Sequence, residues 1–528
     1  MTAVVSYSGR LLVAVWSYPL AWTKKYFWYF LKLASPRSSG ARDCAICRLA
    51  PATPPSQERN MFLRCDGRIA FVNCSVHYTP FLFFCQAILF AFLSYNRTVN
   101  SERKNRAVHD VDVLILGAGV SGLAAAHTLV KKKHTSFAIL EARDRVGGRV
   151  FSAALPHGLT GEYGAEWIGA THKNLLRIAR ELGVSLESHT YTRYPFIKEE
   201  LRRPDPALNK VLLKLERILS RETHFRTLDK KSLLAFLNEH FTKSEVALLR
   251  TIYSVEFAED VRYVSAIRAL LDHMTGGKNS HMDFHVKGGN TKLMTALVRS
   301  IGPHKVMLKH EVKSITQDHG GVLVECANGS IWVAKKVICT IPAQVLSGTH
   351  FYPPLPPEAK RTAQNLKYGD VVKAILTFPR RFWGREDFSV FSDGLAQYVF
   401  HTTQGQPGKG GALCMYVVGA RAKKIRTMNM SSVWRELKKA LPKEIDTKGV
   451  VPSKMTWHIW ANDRFADGAY AVYQPREWAR VRRAFGKPFH HVYFSGEHLA
   501  LMQGFMEGAA TEGINAATKI SKVLAHKK

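Results

Sequence analysis

The sequence predicts an α/β protein built around a Rossmann-like unit, and three observations support this fold class. A short apolar run ends in the cluster Gly117, Gly119 and Gly122. An alanine-rich segment with a helical pattern follows the glycines. A second apolar run, residues 137–140, then ends on Glu141. Strand, glycine turn, helix, strand and acidic residue in this order are the pattern that binds a dinucleotide.

Each element of this pattern has a physical role in holding a dinucleotide. Gly117 permits the tight turn, Gly119 lets the backbone approach the pyrophosphate, and Gly122 lets the helix pack close to the strand. The N-terminus of the helix offers unpaired N–H groups and a partial positive charge to the phosphates. Glu141 is expected to accept hydrogen bonds from the ribose hydroxyls of the adenosine half.

The residues directly after this acidic position distinguish FAD from NAD. They are Arg143, Arg145, the pair Gly147 and Gly148, and Arg149. This continuation resembles the glutathione-reductase-type FAD proteins and, within them, the flavin amine oxidases, whose second strand runs into a Glu and then a Gly-Gly-Arg motif. The glycines let the backbone pass close to the cofactor, and the arginines offset pyrophosphate charge. The resemblance implies FAD as the cofactor.

Size and composition are those of a folded protein with two to four domains. The chain has 528 residues, of which 46% are hydrophobic and 22% are charged. A formal net charge of +33 is spread along the chain rather than collected in one arm, so no specific nucleic-acid contact is expected. A basic surface favours anionic membranes or acidic partners, and adaptation of a solvated surface explains it equally well.

The cysteines indicate neither a disulfide scaffold nor a metal centre. Eight cysteines are too few for a scaffold in a chain of this length. Cys44 and Cys47 form one CxxC pair, but Cys65 and Cys74 do not form a second close pair. No metal site is therefore expected.

Residues 1–108 differ from the rest of the chain and are interpreted as an extension with a candidate membrane helix. The segment near 78–95 lies within HYTPFLFFCQAILFAFLSYN, which carries no formally charged residue. It is marginal in length for a membrane span, and Pro80 suits its first turn. Four basic residues at 97–106 follow it and two at 64–68 precede it, which favours a membrane-associated protein with a cytosolic enzyme domain. An uncleaved signal-like segment is the alternative.

The remaining sequence divides into segments of an FAD-binding domain that alternate with a mixed α+β substrate domain. Apolar residues recur every three or four positions from about 173 to 274, which indicates helices. Gly288 and Gly289 start a turn and helix that return to the cofactor domain, and Asn328 with Gly329 predicts a hairpin. The predicted boundaries are 109–190, 284–340 and 456–528 for the FAD-binding domain, and 191–283 and 341–455 for the substrate domain.

The C-terminal stretch HHVYFSGEHLALMQGFMEGAATEGINAATKISKVL predicts a strand, a Gly-Glu turn and a helix that starts near Met506. It closely resembles the last FAD segment of the flavin monoamine oxidases. The resemblance implies that Glu497 lies near the ribityl and pyrophosphate part of FAD and that the backbone N–H at Met506 faces the flavin pyrimidine. A helix N-terminus there stabilises the negative charge of reduced flavin. Val312 and Trp460 are expected among the cofactor contacts by the same resemblance.

Three further residues are candidates for the reaction site. By the same resemblance, Tyr470 and Phe505 form two aromatic walls that hold a neutral amine against the flavin. Ala469 stands where mammalian monoamine oxidases carry the cysteine bound to the flavin, so non-covalent FAD is expected. Lys373 lies on the apolar strand VVKAIL, where burying an ammonium is costly. The resemblance implies that Lys373 holds a water against flavin N5, and an exposed lysine on an edge strand is the alternative.

The substrate class is inferred from the segment YGAEWIG at residues 163–169, which contains no arginine. L-Amino-acid oxidases and tryptophan monooxygenases place an arginine after the GA turn, where it pairs with the substrate carboxylate. An amine is therefore favoured over an amino acid. Glu166 with Trp167 resembles polyamine oxidases, and a carboxylate there could attract a second ammonium group.

These residues lead to an FAD-dependent amine oxidase as the predicted function. A hydride passes from the amine α-carbon to flavin N5, the imine is hydrolysed to aldehyde and ammonia, and dioxygen reoxidises the flavin with release of hydrogen peroxide. The alternatives are an L-amino-acid or polyamine oxidase on the same fold, an enzyme like the carotenoid desaturases or protoporphyrinogen oxidases, a chromatin-bound demethylase, and a non-catalytic FAD-binding protein. Tyr470, Phe505 and Lys373 argue against the desaturase class, and residues 173–275 lack the coiled-coil insertion of a demethylase.

Overall fold

The computed structural model describes residues 2–7, 10–15, 59–65, 68–74, 108–189, 191–197, 200–201, 206–276, 282–384 and 386–525. Contacts divide the chain into two units, Met1–Asn105 and Arg106–Lys528. The described strands of the first unit are β1 (Thr2–Tyr7), β2 (Arg10–Val15), β3 (Arg59–Cys65) and β4 (Arg68–Cys74). They form an antiparallel sheet in the order β2-β1-β4-β3.

The predicted membrane helix has no support in the described part of the chain. No helix among the described residues is long and apolar enough to cross a membrane. The segment near 78–95 lies outside those residues, as do Cys44 and Cys47. Membrane association and the side of the membrane therefore stay predictions.

The described part of the second unit contains fourteen α-helices. They are α1 (Val120–Lys131), α2 (Lys173–Glu181), α3 (Pro206–Leu219), α4 (Phe225–Lys230), α5 (Leu233–His240), α6 (Lys243–Glu256), α7 (Ile267–Gly276), α8 (Thr291–Ile301), α9 (Ala343–Leu346), α10 (Pro357–Asn365), α11 (Gly419–Ile425), α12 (Met430–Lys439), α13 (Glu477–Phe485) and α14 (Met506–Ala525). Helices α3 to α7 fall within the segment whose periodicity predicts helices.

The described strands of the second unit form two large sheets and three short pairs. They are β5 (Val108–Leu116), β6 (Phe137–Leu140), β7 (Ser152–Ala154), β8 (Thr160–Glu162), β9 (Leu186–Ser188), β10 (Thr192–Ile197), β11 (Glu200–Leu201), β12 (Phe284–Val286), β13 (Val306–Met307), β14 (Val312–Gln317), β15 (Val322–Cys326), β16 (Ile331–Cys339), β17 (His350–Tyr352), β18 (Lys367–Tyr368), β19 (Val371–Phe378), β20 (Phe388–Ser392), β21 (Tyr398–His401), β22 (Gly411–Val418), β23 (Lys454–Ile459), β24 (Ala471–Val472) and β25 (Val492–Phe494).

The first large sheet contains the predicted Rossmann-like unit. Its order is β13-β6-β5-β16-β15-β14-β17, with β25 paired to β16. Strands β6, β5, β16 and β25 run parallel. Leu116 of β5 lies beside Leu140 of β6 and Cys339 of β16, so the carboxyl ends of these strands meet at one edge of the sheet. In open α/β sheets this edge is where ligands bind.

Helices α1 and α14 pack against each other beside this sheet. Small residues permit the close approach, because a Cβ on Gly513 would lie 2.0 Å from the carbonyl oxygen of Ser121. The apolar faces of the two helices share a core with Ile115 and Ile338. The first and last helices of the unit therefore support the same end of the sheet.

The hairpin predicted at Asn328 and Gly329 is confirmed. These residues connect β15 to β16, which pair antiparallel with Val322 opposite Ala334. Gly329 has a φ of +85°, a backbone conformation that side chains other than glycine rarely adopt.

The second large sheet has the order β11-β10-β20-β21-β22-β19-β23. All eight residues of β19 are buried, because β22 and β23 flank it and both of its faces are covered. Val372, Ala374 and Leu376 pack in a core with α11 and α12. Side chains alternate along a strand, so Lys373 and its neighbours in the alternation point to the opposite face.

Candidate active site

The carboxyl ends of β5, β6 and β16 open into a cavity of about 590 Å³ that extends to the second sheet. Of the residues predicted to bind the cofactor or act in catalysis, all except Gly122 and Arg145 line this cavity. The lining residues are Gly117, Gly119, Glu141, Arg143, Gly148, Arg149, Val312, Lys373, Trp460, Tyr470, Glu497, Phe505 and Met506. The structure brings these positions together, and their roles towards a cofactor stay predictions.

The glycine turn leaves room for a cofactor and for little else. Gly117 has a φ of +104°, and a Cβ there would lie 2.5 Å from the Thr340 hydroxyl oxygen. A Cβ on Gly122 would lie 1.9 Å from the carbonyl oxygen of Gly117, so Gly122 serves the close packing of helix on turn rather than the cavity wall. A Cβ on Gly119 would meet nothing within 4 Å. This open space beside the N-terminus of α1 fits a pyrophosphate group.

The Glu141 carboxylate is buried and held in place by the backbone. It accepts a hydrogen bond from the N–H of Ala118 at 2.7 Å and another from the N–H of Arg143 at 2.9 Å. A carboxylate has about four lone-pair sites, so capacity remains for hydroxyl donors. The geometry therefore fits an acidic residue that receives ribose hydroxyls.

An ion pair joins the first glycine-rich segment to the C-terminal segment. Arg149 donates to Glu497 at 2.9 Å. Burial acts to lower the pKa of Arg149, but the Glu497 carboxylate outweighs this and raises it. Glu497 also accepts from the backbone N–H groups of Ala471 and Gly504, each at 3.2 Å. The pair thus orders both the loop after β6 and the loop before α14.

Lys373 and Glu166 form a buried ion pair in the cavity wall. Lys373 Nζ lies 2.6 Å from Glu166 Oε2 and also donates to the carbonyl oxygen of Gly164 at 3.2 Å. Lys373 is 2% exposed and Glu166 is 3% exposed. Burial acts to lower the pKa of Lys373, but the Glu166 charge outweighs it and raises the pKa. The exposed edge-strand alternative for Lys373 is therefore wrong, because β19 is an interior strand.

The internal contacts of Glu166 weigh against the ligand role that was left open for it. The resemblance to polyamine oxidases made it a candidate for attracting a second ammonium group. In the structure its two oxygens already accept from Lys373 and from the Thr402 hydroxyl, the latter at 2.9 Å. A buried carboxylate that is neutralised by an internal ammonium has little attraction left for a ligand cation.

Glu162 lies next to this ion pair and is held largely out of water. Burial raises its pKa to about 7, although hydrogen bonds from the N–H of Asn290 and the Ser152 hydroxyl act in the opposite direction. The folded chain therefore binds a proton at pH values where the unfolded chain has lost it. The contribution of Glu162 to the free energy of unfolding should therefore fall as the pH rises from about 4.5 to about 7, by about 3 kcal/mol at most.

Replacing this carboxyl by an amide tests the expected pH dependence of stability. Relative to the unaltered protein, Glu162→Gln should make the free energy of unfolding rise more, or fall less, between pH 4.5 and 7, by about 3 kcal/mol at most, measured by chemical denaturation across that range. Glu181→Gln is the matched control, because hydrogen bonds from Lys131 and His127 lower the pKa of Glu181. The contribution of Glu181 to the free energy of unfolding is lost as the pH falls. Glu181→Gln should therefore change the pH dependence only below about pH 4.5. An unchanged slope in Glu162→Gln would contradict the assignment.

The two aromatic side chains predicted as walls, Tyr470 and Phe505, both line the cavity. A Cβ on Gly504 would lie 2.7 Å from the ring of Tyr470, so this glycine lets the C-terminal loop pack flat against the ring. The Tyr470 hydroxyl donates to the carbonyl oxygen of Glu256. The Phe505 ring lies 5.6 Å from the ring of His172. Tyr470 is therefore held by other residues of the cavity wall, whereas Phe505 contacts a ring outside the cavity lining.

Several lining residues were missed by sequence reasoning. Tyr416 lies on β22 directly opposite Lys373, and the alternation within GALCMYVV carries this signal once Lys373 is chosen. Phe391 and Tyr398 stack with ring centroids 4.3 Å apart, and both line the cavity. Glu256 ends α6 and lines the same space. These positions depend on how the strands and α6 pack, which no local pattern encodes.

No cysteine of the described residues lies where a flavin could be attached. Among them, Cys326, Cys339 and Cys414 are buried in the sheets, and none lines the cavity. Ala469, which stands where mammalian monoamine oxidases carry the flavin-linked cysteine, does line the cavity. The side chains around the cavity therefore fit a cofactor held without a covalent bond. The described part of the chain also contains no group of three His, Cys, Asp or Glu residues arranged to hold a metal ion.

Comparison with known proteins agrees with this site. The family model described as flavin containing amine oxidoreductase matches residues 120–521. The chain is 24% identical over 468 residues to amine oxidase [flavin-containing] A of Equus caballus, covering 80% of this chain and 88% of that protein. It is 26% identical over 459 residues to amine oxidase [flavin-containing] B of Homo sapiens, covering 78% and 86%.

Solved structures share the fold at low sequence identity. A putrescine oxidase bound to putrescine has a TM-score of 0.71 and 22% identity, covering 78% of this chain and 99% of that one. Cyclohexylamine oxidase from Brevibacterium oxydans IH-35A has a TM-score of 0.71 and 22% identity, covering 79% and 100%. The family inferred from the glycine motifs and the C-terminal segment is confirmed: the chain belongs to the flavin-containing amine oxidoreductases and is an FAD-dependent amine oxidase. That the cofactor is bound without a covalent link stays a prediction.

Proposed function

We propose that this enzyme deaminates a small amine by hydride transfer from the α-carbon, giving an aldehyde, ammonia and hydrogen peroxide. The observation that carries the proposal is that the glycine turn, Lys373 and the aromatic walls line one continuous cavity. Bound FAD supplies the hydride acceptor at N5 and passes the two electrons to dioxygen. Overall, one amine, one dioxygen and one water give one aldehyde, one ammonia and one hydrogen peroxide.

The aromatic end of the cavity suits a neutral amine. Tyr416 and Tyr470 face this space, and burial raises the pKa of each hydroxyl well above its ordinary value, so both rings stay uncharged. Trp167 and Phe505 line the same region. Such walls exclude water and disfavour an ammonium ion without a counter-charge, which leaves the amine nitrogen lone pair available for the reaction.

The charges of the cavity support an amine rather than an amino acid. The arginines that line the cavity in the described part of the chain are each paired with a carboxylate. The pairs are Arg143 with Asp463, Arg149 with Glu497, and Arg464 with Glu311. Lys373 is likewise paired with Glu166. A substrate carboxylate would therefore compete with an internal partner for every one of these cations.

Peroxide release by the full-length holoenzyme tests the proposal. A panel of primary monoamines, diamines and L-amino acids should give peroxide with amines and none with amino acids. The aldehyde and ammonia should appear in equal amounts with the peroxide. A yellow protein that releases no peroxide from any member of the panel would instead support a non-catalytic FAD-binding protein.

A diamine is the second candidate substrate, and Glu256 is the observation that favours it. Its carboxylate lies near the hydroxyls of Tyr416 and Tyr470 and lines the same cavity. A carboxylate at the wall can receive the distal ammonium of a diamine while the near amine stays neutral. The fold is shared with a putrescine oxidase, whose substrate is a diamine.

The Glu256→Gln variant separates the two substrate classes. If a diamine is the substrate, the KM for a diamine relative to a monoamine of equal length should rise about tenfold, as expected for loss of one charge-assisted hydrogen bond. Steady-state peroxide assays with butylamine and butane-1,4-diamine measure this ratio of KM values. Equal changes for both amines would exclude Glu256 as the second cation site and leave the monoamine proposal.

A further inference from the structure

Lys373 occupies an unusual place for a lysine. It lies on β19, whose eight residues are all buried, with Tyr416 opposite it on one neighbouring strand and His458 opposite it on the other. An ammonium has three hydrogens, and the described residues accept two of them through Glu166 and Gly164. Lys373 also lines the cavity. The third hydrogen is therefore available to a group within the cavity.

Glu166 is held in place by a third segment of the chain, in addition to Lys373 on β19. Its Oε2 accepts a hydrogen bond from Lys373 Nζ. Its Oε1 accepts a hydrogen bond at 2.9 Å from the hydroxyl of Thr402, which lies in the segment after β21. The carboxylate thus has contacts on both oxygens and cannot rotate away from the ammonium without losing a buried hydrogen bond. Trp167 and Phe400 complete the surroundings, with ring centroids 5.7 Å and 5.9 Å from Lys373 Nζ.

The other titratable groups near Lys373 are neutral, apart from Glu162 above about pH 7. Burial raises the pKa of the Cys414 thiol and of the Tyr416 hydroxyl well above their ordinary values, so both stay neutral. Burial lowers the pKa of His458, which favours its neutral form as well. Glu162 titrates near pH 7. Among the titratable side chains of the described residues, only Glu166 is in hydrogen-bond contact with the ammonium.

We propose that Glu166 is a positioning residue that keeps Lys373 as an ammonium and directs its Nζ into the cavity, so that a fixed positive charge stands beside the flavin while dioxygen is reduced. This inference rests on the proposed function in one respect, because FAD bound in the cavity must bring its isoalloxazine ring beside Lys373, which lines that cavity. In the step concerned, the reduced flavin anion gives two electrons and its N5 proton to dioxygen, solvent gives a second proton, and oxidised flavin and hydrogen peroxide result. Negative charge moves onto oxygen, so a nearby ammonium lowers the barrier.

Removing the Glu166 charge should change the pH profile of the flavin. In the holoenzyme, photoreduced and mixed with oxygenated buffer, the reoxidation rate should stay level up to about pH 10, near the ordinary lysine pKa. In Glu166→Gln the alkaline fall should move down by at least about one pH unit, because a buried ammonium without a counter-charge loses its proton more readily. The visible absorbance of oxidised flavin should show a titration step at the same lower pH.

Two further variants assign the step. Thr402→Val removes a hydrogen bond to Glu166 but no charge, so it should leave the alkaline fall where it is in the unaltered enzyme. Adding Lys373→Met to Glu166→Gln should abolish the absorbance step, because the titrating group is then absent. If Glu166→Gln does not bind FAD, Glu166→Asp decides, since its shorter side chain lengthens the ion pair and should produce a smaller shift in the same direction.

The outcomes separate this inference from the proposed function. A Glu166→Gln enzyme with the pH profile and absorbance titration of the unaltered enzyme overturns the inference, as does an absorbance step that survives Lys373→Met. None of these measurements uses an amine, because the flavin is reduced by light. A chain that oxidises no amine but shows the shifted step would refute the proposed function and retain the role of Glu166.

Discussion

Replacing Lys373 by methionine should slow reoxidation of the reduced flavin by dioxygen roughly 100-fold, the range found for removing one charged group that stabilises developing charge. The physical reason is that the Lys373 ammonium, which lies in the cavity wall, is lost together with the hydrogen that remains after its bonds to Glu166 and Gly164. FAD should remain bound, because Lys373 lies on β19 rather than in the glycine turn. Stopped-flow absorbance of the photoreduced enzyme measures the rate, and the absorbance of the purified protein reports the bound FAD.

A matched control is needed because Lys373→Met also leaves the Glu166 carboxylate buried without its partner, which destabilises the fold. Lys336→Met removes a lysine that is also largely buried, on β16, where its Nζ lies 2.8 Å from His491 Nδ1 outside the cavity. That variant should lose stability but keep the reoxidation rate. The double change Lys373→Met with Glu166→Gln removes the stranded charge and should stay slow. A rate equal to that of the unaltered enzyme would remove Lys373 from the oxygen reaction.

Replacing Gly122 by alanine should produce a protein purified without FAD and destabilised by about 3 kcal/mol, the upper part of the usual range for overpacking a close contact. A Cβ at this position would lie 1.9 Å from the carbonyl oxygen of Gly117. Both partners of that contact are backbone, so helix α1 must move away from the turn to relieve it. The movement displaces the N-terminus of α1, on which the phosphate contacts depend. Absorbance at the flavin band and chemical denaturation measure the two effects.

Gly119→Ala is the informative comparison, because Gly119 lies in the same turn as Gly122 but faces open space rather than packed backbone. A Cβ there would meet no protein atom within 4 Å, and Gly119 lines the cavity. The FAD-free protein should therefore be as stable as the unaltered one, while FAD affinity falls because the methyl group enters the space left for the pyrophosphate. Equal loss of apoprotein stability in Gly119→Ala and Gly122→Ala would contradict this division of roles.

The cofactor half of the site was accessible from the sequence. Gly117, Gly119 and Glu141 form a local pattern in which strand, turn, helix and strand follow each other without long insertions. Local sequence determines such a unit because each residue acts on backbone only a few positions away. The structure shows Glu141 receiving two backbone N–H groups and Gly122 pressed against the turn, in agreement with the geometry the pattern requires.

The substrate half was accessible only in part. Tyr470, Phe505 and Lys373 were chosen by resemblance to a family, whereas Tyr416, Phe391, Tyr398 and Glu256 were not found. The missed residues reach the cavity through strand pairing in the second sheet and through the end of α6. Pairing partners such as Lys373 and Tyr416 are 43 residues apart in the numbering, and alternation within a strand shows which side chains share a face but not which face meets the cavity.

The sequence by itself determined the Rossmann-like unit, because glycine geometry and backbone hydrogen bonding are local. Its glycine and C-terminal motifs identified the FAD cofactor and the family by resemblance. Tertiary structure alone decided which group the Glu166 carboxylate contacts. Its sequence context left a site for a ligand cation open, but folding places its carboxylate 2.6 Å from Nζ of Lys373, which lies 207 positions later in the chain. A charge buried in an interior must find its counter-charge within the fold, and the identity of that partner depends on which distant segments pack together.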